Sequence, residues 1–265
     1  MSRLDAATYL GHLRRESARF REVLAGCGPD VGIPSCPGWD TSDLLLHLAR
    51  VQGFWATIVR TRPAPVDRDA PEPRRAASYD ALLAHFDDSH AALVAELEAA
   101  DPADEAWTWS TEQTVGFTIR RQAHEALIHR LDAEQAAGTV TPLDPGLAAD
   151  GVRETLEVMF GSTPLWGEFH PLSQHVRVDC TDTGDATWVQ LGNLTGTDPA
   201  TGETLDEGDI RVVDDPGAEP DAVVAGPAGA LDAWLWRRGD DGSIAVHGDR
   251  DSYDRFRVAV DHPIG

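Results

Sequence analysis

Residues 115–138 read VGFTIRRQAHEALIHRLDAEQAAG, and this stretch decides the fold. Thr118, Gln122, Glu125, His129 and Asp132 recur at three- and four-residue steps, the spacing of one side of a helix. Phe117, His124, Leu127, Ile128 and Leu131 lie mainly on other faces, where they supply packing. The pattern predicts a helix from about Val115 to Ala137, stopped by Gly138. A polar stripe turned into a protein interior needs partners, because an unpaired buried carboxylate is costly.

Upstream, three more helical segments read out. Leu10, Leu13, Phe20, Val23 and Leu24 place the first over roughly residues 3 to 26, ended by Gly26 and Gly28. The turn-rich CGPDVGIPSCPGWD (27–40) leads to a second helix, whose start is marked by Asp40 with Asp43 three residues on. That helix carries Leu44, Leu45, His47, Leu48, Val51, Phe54, Trp55 and Ile58. TRPAPVDRDAPEPRR (61–75), with four prolines, predicts a surface loop. Ser78 then caps a third helix with Leu82, Leu83, Phe86, Leu93, Val94 and Leu97 on one face. Four helices of this length predict a bundle over residues 1–140.

Residues 141–265 change character. A helix around Pro145 to Phe160 is followed by short runs with β-branched residues at period two: HVRVDCT, ATWVQLG, DIRVVD, DAVVAG and SIAVHG. ALDAWLWRR and SYDRFRVAV read as helices among them. The fold class expected is therefore α+β, a helical bundle followed by a small α+β domain, with no GxGxxG or phosphate-loop pattern.

Composition narrows the chemistry. Lys+Arg total 22 against 45 Asp+Glu, giving a net charge of -23 that repels nucleic acid and anionic membrane surfaces. Lysine is absent altogether, so a Schiff-base lysine is excluded and any catalytic cation is Arg or His. The same bias, rich in Ala, Gly, Asp and Arg, fits a high-GC bacterial genome. Cys27, Cys36 and Cys180 have no CxxC spacing, which suits a reducing compartment. With no apolar leader and no 18-residue apolar run, the expected location is the cytoplasm.

Glu125 and His129 stand one above the other on the fourth helix and could close on a divalent metal, with room for a third protein ligand and an open position. An exposed helical pair is the alternative for these two. His47, surrounded by apolar residues in LLLHLARV, is the third candidate, or else a core-edge histidine bonded to a backbone carbonyl. Asp132 reads either as the acceptor behind a ligand imidazole or as a carboxylate paired with Arg130. His124 points about 100° away from Glu125 and is set aside.

SCPGWDTSDLLLHLARVQGFW (35–55), HEALIHRLDAEQAAG (124–138) and the block from Ala222 to Asp249 resemble the mycothiol-dependent maleylpyruvate isomerase family of actinobacteria, within the DinB-like superfamily of metal-binding four-helix bundles. The resemblance runs over nearly the whole chain. It implies a DinB-like four-helix bundle with a sterol-carrier-like C-terminal domain, and His47, Glu125 and His129 as ligands of a metal such as zinc, with mycothiol sulfur at the open position. It also implies a substrate-contacting arginine after the LW pair, for which Arg238 fits and Arg237 is the neighbouring alternative; both could equally be solvated helix-end cations. Trp39 and Trp55 flank the ligand helix, chiefly as packing.

Such a centre serves a cis-trans isomerase of a maleylpyruvate-like acid, or an S-transferase onto a small, possibly carboxylate-bearing electrophile. A metal-dependent hydrolase using Asp132 as base, and a non-catalytic small-ligand binding protein, are the competing readings. The family suggests a monomer, and a weak oligomer is the other state considered.

Overall fold

The computed structural model describes residues 3–64, 78–262 and 264. The chain divides into two compact units, one from Leu4 to Leu143 and one from Asp144 onward. Seven α-helices and five strands are described, an α+β fold. No helix among the described residues is long and apolar enough to cross a membrane.

The first unit holds α1 (Ala6–Gly26), α2 (Thr41–Thr61), α3 (Tyr79–Ala99) and α4 (Val115–Ala137). Each begins on a side-chain cap. Asp5, Ser78 and Thr114 accept from the backbone of the first turn, and Asp40 and Asp43 form a reciprocal capping box. α4 ends on Gly138 at φ 70°, a left-handed conformation that glycine adopts without a Cβ penalty. Of the proline-rich segment expected to loop, residues 65–75 lie outside the described residues.

α1 packs chiefly on α4, and α2 on α3. Phe20, Leu24, Leu44, Leu45, Leu48, Leu82 and Phe86 form the apolar centre, with the Phe20 and Phe86 rings 5.1 Å apart. A charged network joins α1 to α4. Arg130 Nε donates to Glu16 Oε2 at 2.8 Å and its Nη1 to Glu134 Oε2 at 2.9 Å, while Arg19 Nε donates to Glu134 Oε1 at 2.7 Å. Arg130 is thus committed to glutamates, and the expected Arg130–Asp132 pairing is replaced by another partner for Asp132.

In the second unit, α5 (Pro145–Glu154) runs on through a wide π-helical turn (Thr155–Phe160). The strands β1 (Gly167–Cys180), β2 (Ala186–Thr197), β3 (Thr204–Val213), β4 (Ala222–Gly226) and β5 (Ala245–Gly248) form one sheet in the order β3-β2-β1-β4-β5. β1 and β4 are parallel and the other pairs antiparallel. β1 starts eight residues before the alternating run at His175, because its register with β2 shifts between Pro171 and His175 and the shift hides the period of two. β3 extends to Thr204 as an edge strand with mostly exposed residues, so no apolar alternation announced it.

α6 (Ala228–Leu235) ends before the arginines, which the sequence had placed inside a helix. Arg238 N donates to Ala233 O at 2.7 Å and Arg237 N to Trp234 O at 3.0 Å, the paired bonds of a Schellman turn. Arg237 occupies its left-handed position at φ 61°, and among the described residues it is the one non-glycine with positive φ. α7 (Arg250–Ala259), capped by Asp249, closes the unit.

A side chain in that conformation is strained by roughly 1 kcal/mol. Arg237→Gly should therefore raise the melting temperature by about 2–4 °C; an unchanged or lower value would mean that the arginine side chain stabilises the turn by other contacts.

Candidate metal centre

Every residue of α4 from Phe117 to Glu134 is buried except Glu125, which keeps partial exposure. This window is where the polar stripe becomes a site. Glu125 Oε1 lies 3.2 Å from His129 Nε2 and 3.6 Å from His47 Nε2, the latter from α2. One donor atom from each of the three falls within 4.8 Å of the others. Ligands at about 2.0–2.2 Å from a tetrahedral zinc stand roughly 3.3–3.6 Å from one another, so the donor set matches such an ion in type and spacing. The exposed-pair alternative for Glu125 and His129 is replaced by a half-enclosed cluster.

Each ligand is held from behind. His129 Nδ1 donates to Asp132 Oδ2 at 2.9 Å, and since a carboxylate only accepts, the proton sits on Nδ1. Asp132, fully buried, also accepts from Ser35 Oγ, while the Cys36 thiol lies 3.9 Å from its other oxygen. Glu125 Oε2 accepts from Arg121 Nη2 at 3.0 Å, which leaves Oε1 turned to the histidines. The Trp39 ring lies 5.0 Å from His47, and His47 meets His129 edge-on at 4.8 Å. Trp55 is a buried packing residue stacked on Trp107, and His124 packs on Tyr9, off the site.

Arg121, Ser35 and Cys36 were not singled out from the sequence. Arg121 stands four residues before Glu125, a readable ion-pair spacing. Ser35 and Cys36 carried no such signal. They reach Asp132 because the 27–40 segment is folded back by a bridge between Gly32 and Asp40 and by Ser42 Oγ donating to Pro29 O at 2.8 Å.

Burial alone would push the Glu125 carboxyl up, but hydrogen bonds from His129 and His47 and the Arg121 charge hold it well below the ordinary range. Burial would likewise depress His129; its bonds to Asp132 and Glu125 prevail and raise it to about 9. Without metal the centre is thus a carboxylate, an imidazolium and a second carboxylate in line.

Of the arginines expected at the site, both belong to the second unit. Arg237 is exposed, whereas Arg238 is half-buried, donating to Trp236 O at 2.7 Å with its guanidinium 5.9 Å from the Trp236 ring centroid.

Residues 10–134 match a family model described as the mycothiol maleylpyruvate isomerase N-terminal domain, and residues 146–255 match one described as the MDMPI C-terminal domain. His47, Glu125 and His129 fall in the first match, Arg237 and Arg238 in the second. Two crystal structures, of the mycothiol-dependent maleylpyruvate isomerase and of a histidine-to-alanine mutant of it, share the fold with TM-scores of 0.59 and 0.58. Identity is 13% in both cases, over 92% of this chain and 93% of those chains. No curated protein matches the sequence.

A histidine whose folded pKa is raised stabilises the fold fully below its unfolded value of 6.5 and loses that contribution as pH rises through about 9. In chelator-treated protein, the urea midpoint should fall between these limits and level off above them. The His129→Gln variant should lack this slope; a slope that persists would place the titration elsewhere.

Proposed function

Because the chain belongs to the mycothiol-dependent maleylpyruvate isomerase family, we propose that it is a thiol-dependent enzyme holding one divalent metal ion, zinc by the chemistry of its donors, through His47, Glu125 and His129. The observation that carries this reading is the convergence of two imidazole nitrogens and one carboxylate oxygen at the single window of an otherwise buried helix.

When bound, such a cation supplies the charge that keeps a thiol ionised near neutral pH, the nucleophilic form. The protein's own residues set the geometry. Asp132 fixes the tautomer of His129 so that its Nε2 lone pair faces the site, and Arg121 occupies one oxygen of Glu125 so that the other is presented.

With a cis-enedioate of the maleylpyruvate type, the thiolate of mycothiol adds to the double bond. A carbon–sulfur bond forms, and the displaced pair moves to the conjugated carbonyl oxygen as an enolate. The former double bond is now single and turns. Collapse of the enolate restores the double bond in the trans arrangement and expels the thiolate, so no proton or electron is consumed. Arg238 is assigned to the substrate carboxylate or the enolate oxygen, since a chain without lysine has only guanidinium and imidazolium cations for that task. An electrophile with a leaving group would retain the sulfur and make the same centre a transferase; the family favours isomerisation.

The hydrolase reading loses its base. Asp132 is fully buried and bonded to His129 and Ser35, so it cannot serve a water at the open position.

Purified protein should contain about one metal per chain and bind mycothiol by calorimetry, and both properties should be lost in His47→Ala and Glu125→Ala. Metal-free protein that is indifferent to these substitutions would refute the proposal. Arg238→Ala should keep its metal while turnover of a dicarboxylate substrate drops on the order of 10²-fold, as for loss of one charge-stabilising donor. Unchanged kinetics would remove Arg238 from the site.

A further inference from the structure

The polar stripe of α4 does not stop at the metal centre. Gln122 lies one turn before Glu125, about 4.5 Å along the axis, and Thr118 one turn further. Side-chain exposure falls from 35% at His47 through 17% at Glu125 and 8% at His129, and both Gln122 and Thr118 are 0% exposed. The stripe therefore leads inward from the centre.

Glu125, His129 and Asp132 are all hydrogen-bonded on this face. Gln122 is not: its Nε2 and Oε1 meet no partner among the described protein atoms, and neither does Thr118 Oγ1. Native interiors rarely leave such groups unanswered, and Leu or Met would fill the same helix face with better propensity and no polar cost. Three unanswered polar atoms in adjacent turns, next to a ligand cluster, mark a place prepared for polar atoms from outside the chain.

We propose that Gln122 and Thr118 form a binding subsite for the body of the thiol cosubstrate, pairing with a neutral amide or hydroxyl of that molecule. This inference rests on the function proposed above. The class of group follows from the donor and acceptor inventory. Gln122 presents an unanswered donor and an unanswered acceptor together, and an amide or hydroxyl satisfies both. A carboxylate only accepts; it would leave Oε1 unanswered and set negative charge against it. The subsite accordingly selects the uncharged body of the thiol, not the carboxylates of the electrophile. Mycothiol, a cysteine amide joined to sugar hydroxyls, carries groups of this kind near its sulfur.

The test uses the metal-loaded full chain, with Gln122→Met as a near-isosteric variant and Thr118→Val as a second. Metal content, melting temperature and calorimetric affinity are measured, with mycothiol and with 1-propanethiol, which has sulfur but no amide or hydroxyl. Gln122→Met should retain its metal, melt at the wild-type temperature or above, and bind mycothiol about tenfold more weakly, the scale of one lost hydrogen bond in a dry site. Its affinity for 1-propanethiol should be unchanged. Thr118→Val should show the same selectivity with a smaller loss, and it decides the matter if Gln122→Met does not fold. Mycothiol affinity at the wild-type level in both variants would overturn the subsite while leaving the metal centre intact. Lower melting with equal loss for both thiols would mark Gln122 as structural and overturn it too. Wild-type protein that holds metal but binds neither thiol would overturn the proposed function and the subsite with it.

Discussion

A helix buried around nearly its whole circumference cannot carry Glu125, His129, Arg130, Asp132 and Glu134 unless each charge is answered within reach. This constraint organises the first unit. Isolated ions in such surroundings would be strongly disfavoured, and breaking one partner of a buried pair typically costs about 3–5 kcal/mol. The chain meets the requirement with two separate sets. Arg130 and Arg19 from one side neutralise Glu16 and Glu134 and set α1 against α4. On the other side, Asp132, His129, Glu125 and Arg121 form an alternating line of negative and positive groups that reaches the surface only at Glu125.

The second line does more than satisfy charge. Asp132 decides which nitrogen of His129 carries the proton, and Arg121 decides which oxygen of Glu125 is available. Both choices turn lone pairs toward His47, so the cluster is organised by its supporting bonds before any ligand arrives. The electrostatics also explain how a centre with two histidines and a carboxylate remains stable when empty: the proton raised on His129 stands where a cation would otherwise sit, and it must leave when one binds.

Legibility in the sequence tracked the range of the interaction. Caps at Asp40, Ser78 and Gly138 are read correctly because each is settled within one turn of backbone. Glu125 above His129 is likewise a matter of helical pitch. The Schellman turn at Arg237 was misread as helix because glycine, its usual marker, is replaced by a residue that gives no such signal. The first half of β1 and the start of β3 were missed for a different reason. A register shift at Pro171–His175 and an exposed edge both erase the alternation that reveals a strand. His47 was named through resemblance, and its place beside Glu125 is a contact between α2 and α4 that spacing within either helix cannot express.

The sequence by itself therefore determined the α+β class, the four N-terminal helices with their caps, and the paired donors on α4, all consequences of local geometry and of which residues stand three or four apart. Only the tertiary structure decided that the stripe on α4 faces inward, that Asp132 serves His129 and not Arg130, that the 27–40 segment brings Ser35 to Asp132, and that Gln122 and Thr118 are buried with no protein partner. The reason is physical. Local structure follows from bonds made within a few residues, whereas the partner of a buried charge is whichever group the packing brings near, and that group can lie anywhere along the chain.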